Sequence, residues 1–354
     1  MDVSDGGEKR MRLPQFRVTV NSRCGRACFF CRPSGEAVST ASGCELRPDD
    51  LLRVAQVVRD HGVDSIKLTG GDPALYEPLT DVVRRLRDEA GFTDVEVISR
   101  HPLIGDRAQE LADAGVTLFN ISLDTLDPAL HHEVCGVDDH AEVIGALERC
   151  VATSVPVKVN VVVMEGINDH EVPQLAEFCE GLGVASMKLL DIIKDLGEGA
   201  KSFTRRLRIK RGRNLSELYV PLERLAAELR LRAVNEQVRQ QGGLGHPMSV
   251  FTMPSGMEVV VKDSTAGAWY GSVCRGCSFF PCHDALMALR LTSDLRMQFC
   301  LLREDVTVDL APFLASGTAG EMEARVQAAL EVYEDAQFRP GASTPQQLLE
   351  VGRR

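Results

Sequence analysis

The chain has 354 residues, enough for about two domains and for cores that fold without disulfide staples. Hydrophobic residues make up 44% and charged residues 26%, a globular balance that excludes a disordered chain. Acids outnumber bases 51 to 40, and the net charge of −11 speaks against a nucleic-acid coat or a binder of anionic membranes, since the mean field repels both.

No run of 18 apolar residues occurs, so no membrane span is expected. Met1–Arg12 is charged and Gly-rich and lacks an apolar segment, which argues against a secretory signal and for a cytoplasmic location. In a reducing compartment the 11 cysteines are read as metal or redox chemistry, or as buried filler, rather than as a disulfide framework.

In chain order, β-type runs are expected at Phe16–Asn21, Val63–Thr69, Val95–Ser99, Thr117–Leu123, Val157–Val163 and Val184–Leu190. Helical periodicity lies between them. Leu51, Leu52, Val54, Ala55, Val57 and Val58 make one apolar face behind Pro48, and Val82, Val83 and Leu86 another. Ala108, Leu111 and Ala112, then Val143, Ile144 and Leu147, then Leu175, Phe178 and Cys179 continue the series. Such alternation predicts an α/β fold with a mostly parallel sheet. Six units are too few for a closed eight-stranded barrel, so a partial (β/α)6 barrel is expected, with functional groups where strands end and loops begin.

The pattern changes beyond the sixth run. A basic insertion spans 198–215, with seven Lys and Arg and no acid between Lys201 and Arg213. It reads either as a solvated loop or as a clamp for an anionic substrate. A helix is expected near Leu218–Gln240, strands at Met257–Lys262, Leu289–Thr292 and Met297–Leu302, and a last helix near Gly320–Glu334. The expected division is a barrel over 1–240, a smaller α+β domain over 241–340 and a flexible tail over 341–354.

Cys24, Cys28 and Cys31 form C-x3-C-x2-C just after the first strand. Three thiolates on one loop can hold a [4Fe–4S] cluster by three of its irons and leave the fourth open to a small ligand. The same spacing suits zinc with Cys44 as a distant fourth ligand. The second strand ends in Thr69-Gly70-Gly71-Asp72-Pro73, where the glycines permit close approach of a ligand and Asp72 can receive an ammonium group. A second constellation comprises Cys274, Cys277, Cys282 and Cys300, again iron–sulfur or zinc spacing. Cys150 and Cys179 read as core filler, and Cys44 and Cys135 as loop residues with no base evident beside them. His131, His132 and His283 read as surface groups, with His283 a further ligand candidate; Trp269 and Tyr270 read as loop anchors or as a stacking surface for a base.

The cysteine triplet with Phe30 before its last member, followed by Gly70-Gly71-Asp72-Pro73, resembles the radical S-adenosylmethionine (SAM) superfamily. Ile121–Asp127, Val157–Asp169 and the order C-x2-C, Leu289–Asp294, Cys300 are similar to the GTP cyclases that open molybdenum-cofactor synthesis. That resemblance implies a partial barrel carrying two [4Fe–4S] clusters and SAM. Cys24, Cys28 and Cys31 would bind the SAM cluster. Phe30, Gly70, Gly71, Asp72 and Ser122 would contact SAM, Asp72 facing its amino group. Arg17, Lys67, Ser99, Lys158 and Arg290 would hold the substrate. Cys274, Cys277 and Cys300 would bind an auxiliary cluster with an iron open to the substrate.

Departures are visible. Lys67 stands where the cyclases have arginine and loses the bidentate fork. Ala288 replaces another arginine. Extra residues after Cys277 include Cys282, which as a fourth ligand would close the auxiliary cluster. Val351-Gly352-Arg353-Arg354 does not match the cyclases' Gly-Gly tail.

The expected function is a radical SAM enzyme of cyclase or lyase type. A 5′-deoxyadenosyl radical would abstract hydrogen from a phosphorylated nucleotide-like small molecule, with cyclisation or rearrangement to follow, in specialised metabolism. A one-electron donor such as flavodoxin or ferredoxin is the expected partner, with neither membrane nor nucleic acid. Competing readings are the molybdenum-cofactor GTP cyclase itself, a peptide-modifying radical SAM enzyme, and a zinc-stabilised nucleic-acid binder.

Overall fold

The computed structural model describes residues 15–31, 44–192, 215–240, 247–262, 288–300, 306–316 and 319–331. The chain alternates β1 (Gln15–Thr19), α1 (Pro48–Asp60), β2 (Ser65–Thr69), α2 (Leu79–Asp88), β3 (Asp94–Ser99), α3 (Leu103–Asp106), α4 (Ala108–Ala114), β4 (Leu118–Ser122), α5 (Pro128–Cys135), α6 (His140–Val151), β5 (Val157–Val163), α7 (Val172–Leu182) and β6 (Ser186–Asp191). The six expected strand–helix repeats are therefore present. Beyond them come a helix over Glu223–Arg232, β7 (Asn235–Gln240), β8 (Pro247–Thr252), β9 (Glu258–Lys262), β10 (Ala288–Leu291), β11 (Arg296–Gln298), β12 (Thr307–Asp309) and helices over Ala311–Ser316 and Ala319–Glu331.

All the described strands join one 12-stranded open sheet, ordered β12-β11-β10-β1-β2-β3-β4-β5-β6-β9-β8-β7. From β10 through β1–β6 to β9 every neighbouring pair is parallel, and antiparallel strands finish both edges. Strands from either side of residue 240 thus share the sheet: β7 to β9 extend it beyond β6, and β10 to β12 beyond β1.

The two faces differ chemically. Phe16 and Val18, Ile66 and Leu68, Val95 and Val97, Phe119 and Ile121, Val159 and Val161, Met187 and Leu189, and Leu289 and Leu291 are wholly buried in the main core. There they meet the apolar stripes of the helices, such as Leu51, Val54, Ala55 and Val58 of α1 and Val83 and Leu86 of α2. Each such side chain contributes roughly 1.5–3 kcal/mol. Alternate residues on the same strands are polar, although strands covered by helices on both faces read as continuous apolar runs. The alternation means that helices cover one face and the other lines a polar interior.

The expected helix over Leu218–Gln240 is a helix only at Glu223–Arg232 and a strand at Asn235–Gln240. The latter residues pair antiparallel with β8, a strand the periodicity does not announce. Cross-strand and loop ion pairs, Arg230 with Glu236 and Arg239 with Glu258, hold this edge. Long-range pairing here overrides helix propensity.

Candidate active site

The cysteine loop is built on the C-terminal ends of β1 and β2. The β1–β2 ladder continues past the strands: Val20 N donates to Thr69 O, Gly71 N to Asn21 O and Asp72 N to Arg23 O at 2.8, 2.8 and 2.7 Å. Backbone therefore crosses directly over the two glycines. A Cβ on Gly71 would stand 2.2 Å from Arg23 O, and one on Gly70 2.7 Å from Asn21 Oδ1. Gly70 and Gly71 are needed because the cysteine loop lies on them, a reason different from the expected approach of a ligand.

Asp72 is also more occupied than expected. Its Oδ1 accepts from Ala74 N at 3.0 Å and Ser99 Oγ at 2.6 Å, and its Oδ2 from Arg100 N at 2.8 Å and His101 N at 3.0 Å. The carboxylate ties the β2 turn to the end of β3, so its acceptor positions are taken by the protein and not held open for an ammonium group. Ser99, expected among the substrate contacts, gives its hydrogen to Asp72 and accepts from His101 N at 3.1 Å. It belongs to the frame of the site.

Cys24 is half-buried, Cys28 buried and Cys31 exposed, with Gly25 at φ +72° turning the chain between them. Helix α5 closes on this loop from β4: Asp127 caps its first turn, Gly136 ends it at φ +78°, and Cys135 O accepts from Ala27 N at 2.8 Å. The sequence reading put Cys135 in a loop; it is the last residue of α5, fully buried, with its thiol in hydrogen-bonding reach of Cys28. Arg100 Nη1 donates to Cys135 Sγ at 3.1 Å, and Arg100 Nη2 lies 2.6 Å from Asp124. Burial pushes the Arg100 guanidinium down, but Asp124 and the two thiols outweigh it and keep it charged. Its guanidinium carbon stands 5.8 Å from the centre of the Phe30 ring. Arg26 grips Asp139 through two bonds of 3.0 and 2.7 Å and also reaches Arg100 O. His131, expected at the surface, is buried against Asp139 at 3.0 Å. Burial raises Cys24, while Cys28 rises through its bond to Cys135 and through burial. Cys150 and Cys179 are buried and pushed up to about 12 by burial, as inert core groups.

These residues suit a [4Fe–4S] cluster. The donor set is three thiols on one loop, flanked by two guanidinium groups that offset anionic sulfur and by the apolar packing of Phe29, Val134, Met164 and Ile167. Among the described residues no three His, Cys, Asp or Glu side chains converge on the position of a single ion. A cube sets no such demand, since it takes each thiolate on a separate iron.

The polar face of the sheet adjoins this loop. Its register places Arg290, Arg17, Lys67 and Glu96 side by side on β10, β1, β2 and β3. Lys158 follows on β5 beside Asn120, Lys188 on β6 beside Asn160, and Lys262 on β9 beside Leu190. Glu96 lies 2.7 Å from Lys67 Nζ and 3.5 Å from Lys158 Nζ. Burial pulls Lys67 down to about 8 despite this partner, and Lys158 adds to the fall. Burial raises Glu96, but the two lysines outweigh it and hold it below the usual carboxylate range. Lys188 is half-buried, and burial together with Lys67, Lys158 and Lys262 lowers it strongly. Asn120 Oδ1, Asn160 Oδ1 and Thr19 Oγ1 are buried on the same face without a hydrogen-bond partner. Ser122 ends β4 beside Asn160.

Of the expected substrate residues, Arg17, Lys67, Lys158 and Arg290 thus share one face, and Glu96, Lys188 and Lys262 were missed. Period-two polarity inside parallel strands was the signal available for them. Cys300 is buried beside β11. Cys274, Cys277, Cys282, His283, Trp269, Tyr270, nearly all of the basic insertion and the tail lie outside the described residues.

The radical SAM superfamily model matches residues 18–179, the stretch that carries the triplet, the Gly-Gly turn and five of the strands. A probable GTP 3′,8-cyclase of Saccharolobus islandicus is 30% identical over 85% of this chain and 87% of its own length. The chain belongs to the radical SAM superfamily, as a divergent member of the GTP 3′,8-cyclase family. Similar relatives of the same name occur in Metallosphaera sedula, 29% identical over 84% of each chain, and in Pyrococcus abyssi, 27% identical over 87% of this chain and 90% of the other. Among solved structures, SuiB of Streptococcus suis, crystallised with SAM, aligns with a TM-score of 0.55 at 14% identity. The alignment covers 82% of this chain and 60% of SuiB, and it shows a common fold. This radical SAM protein is accordingly an enzyme, and [4Fe–4S] clusters and SAM are the cofactors of its family. Among the described residues no helix is long and apolar enough to cross a membrane.

Proposed function

We propose that this radical SAM enzyme acts on a nucleoside phosphate or a closely similar phosphorylated small molecule, and that hydrogen removal from its sugar carbon leads to cyclisation. The observation that carries the reading is the polar sheet face, where Arg17, Lys67, Lys158, Lys188, Lys262 and Arg290 share one interior with the carboxylate of Glu96. Buried cations at this density need an anion, and phosphate accepts from several at once.

Cys24, Cys28 and Cys31 would hold the cluster and the Thr69–Asp72 turn would border SAM. When bound, this pair supplies hydrogen abstraction from unactivated carbon. The chain's own residues do the rest. Lys158, Lys188 and Lys262 seat the anionic part of the substrate. Glu96 fixes the Lys67 ammonium and offsets one positive charge, so the polar face favours a particular charge state. Phe30 and its apolar neighbours shield the loop end from water. Cys274, Cys277, Cys300 and Cys282 remain the proposed holders of an auxiliary cluster, and a one-electron donor such as flavodoxin or ferredoxin the proposed partner.

GTP itself is the first substrate to test, because relatives at 27–30% identity are named probable GTP 3′,8-cyclases. Lys67 and Ala288, which replace arginines of the cyclase pattern, and the Glu96–Lys67 pair support a neighbouring nucleotide and a more specialised product. The test is anaerobic reconstitution followed by measurement of 5′-deoxyadenosine with each ribonucleotide in turn. A nucleotide-dependent rise is expected. A rise driven only by uncharged nucleosides or by a peptide would overturn the reading.

A further inference from the structure

The polar face carries a buried carboxamide that neither the fold nor the proposed function uses. Gln298 on β11 is completely buried, and neither its Oε1 nor its Nε2 has a hydrogen-bond partner. Its α-carbon is paired with that of Arg290, which pairs with Arg17, then Lys67, then Glu96. Directly opposed residues of a ladder put their side chains on the same face. Gln298 therefore stands on the same rung as those four charged residues, with Thr307 of β12 beyond it.

A buried amide with both atoms unsatisfied is costly to fold. An apolar residue would suit a purely structural position better, and the neighbouring Met297 and Phe299 are apolar and buried. A carboxamide presents one donor beside one acceptor. A phosphate or carboxylate has no donor to return to Oε1, and a lone cation has no acceptor for Nε2. A planar ligand edge with a donor next to an acceptor satisfies both atoms, and such an edge is carried by nucleobases and amides.

We propose that Gln298 is a specificity-determining residue that reads the donor–acceptor edge of the substrate's base, while the cations of the same face hold its phosphate. The assignment rests on the reading of the substrate as a nucleoside phosphate and adds the part of the molecule that is recognised apart from its charge. A well-formed bidentate pair discriminates by about 1–3 kcal/mol, or about five- to hundredfold in affinity.

The test uses anaerobically reconstituted holoenzyme and equilibrium dialysis with the four ribonucleoside triphosphates and with inorganic triphosphate, which has charge but no base. Gln298→Met keeps the length and removes the amide, and Gln298→Leu is the second variant. Both are expected to weaken the best-bound nucleotide about five- to hundredfold and leave inorganic triphosphate unchanged. Their melting temperatures without nucleotide are expected to equal or exceed the parent's, since two unsatisfied groups are gone. Unchanged nucleotide affinity in the variants would overturn the role of Gln298 and leave the nucleotide reading intact. A parent enzyme that binds neither nucleotide nor triphosphate would overturn both. Two variants that melt well below the parent would show the amide to be structural, and the assignment would fall.

Discussion

Asp72→Asn separates two roles for the acid of the Gly-Gly-Asp-Pro turn. The carboxylate accepts four hydrogen bonds, two at each oxygen. Asparagine can keep its oxygen toward Ala74 N and Ser99 Oγ, but its amide nitrogen then faces Arg100 N and His101 N, donor against donor. Two bonds to a charged acceptor are lost, each worth about 1.5–3 kcal/mol, so the folded state should lose about 3–6 kcal/mol. At roughly 2–4 °C per kcal/mol the melting temperature should fall by about ten degrees. Ser99→Ala removes one donor to Asp72 and one acceptor that His101 N shares with Asp72, and should cost only about 1–2 kcal/mol. The assay is thermal unfolding followed by circular dichroism, on protein stripped of iron and SAM. A cofactor role alone predicts no change in that sample and a loss of SAM binding in the reconstituted one. If Asp72→Asn melts within a degree or two of the parent, the framework role is refuted.

Gly71→Ala would force the Arg23 carbonyl out of its place, so the variant should purify with less iron and sulfide after reconstitution than the parent, while Gly181→Ala, whose added methyl meets nothing, should not. Arg100→Leu would leave the buried Asp124 carboxylate without its cation, with Val162 N still donating to it, and should cost about 3–5 kcal/mol in chemical denaturation. Lys67 is held down to about 8 in the fold against 10.5 for an ordinary lysine. Between these values the unfolded chain binds the extra proton, so this residue makes stability rise with pH across that window. Over the same rise above about 8 the polar face loses a positive charge, and the dissociation constant of the anionic substrate should increase. In Lys67→Arg the guanidinium stays charged, and this alkaline limb should vanish from a pH series of binding measurements.

The strand–helix alternation and the placing of Cys24, Cys28 and Cys31 after the first strand were legible in the sequence because they rest on local rules. Apolar periodicity reports which face of each element is buried, and thiols spaced for one loop report soft-metal chemistry whatever surrounds them. One helix start was equally local: Pro48, expected in the first turn of its helix, opens α1. The polar partners of those thiols were not legible. Arg100, Asp124 and Cys135 come from the ends of β3 and β4 and of α5, and only the parallel register brings them behind the cysteine loop.

Asp72 shows the limit most clearly. Its residue type suits an ammonium ligand, yet four protein donors from two connections occupy it. Lys67, Glu96, Lys158 and Lys188 are far apart in the chain; the resemblance groups Lys67 with Lys158, while Glu96 and Lys188 read there as isolated charges. Side-chain alternation puts each on the polar face of its own strand, which the sequence determines. Which strand lies next to which, and therefore that Glu96 pairs with Lys67 and Gln298 shares a rung with Arg290, is decided by the tertiary structure, because hydrogen-bonded register between distant segments leaves no trace in the spacing of either one.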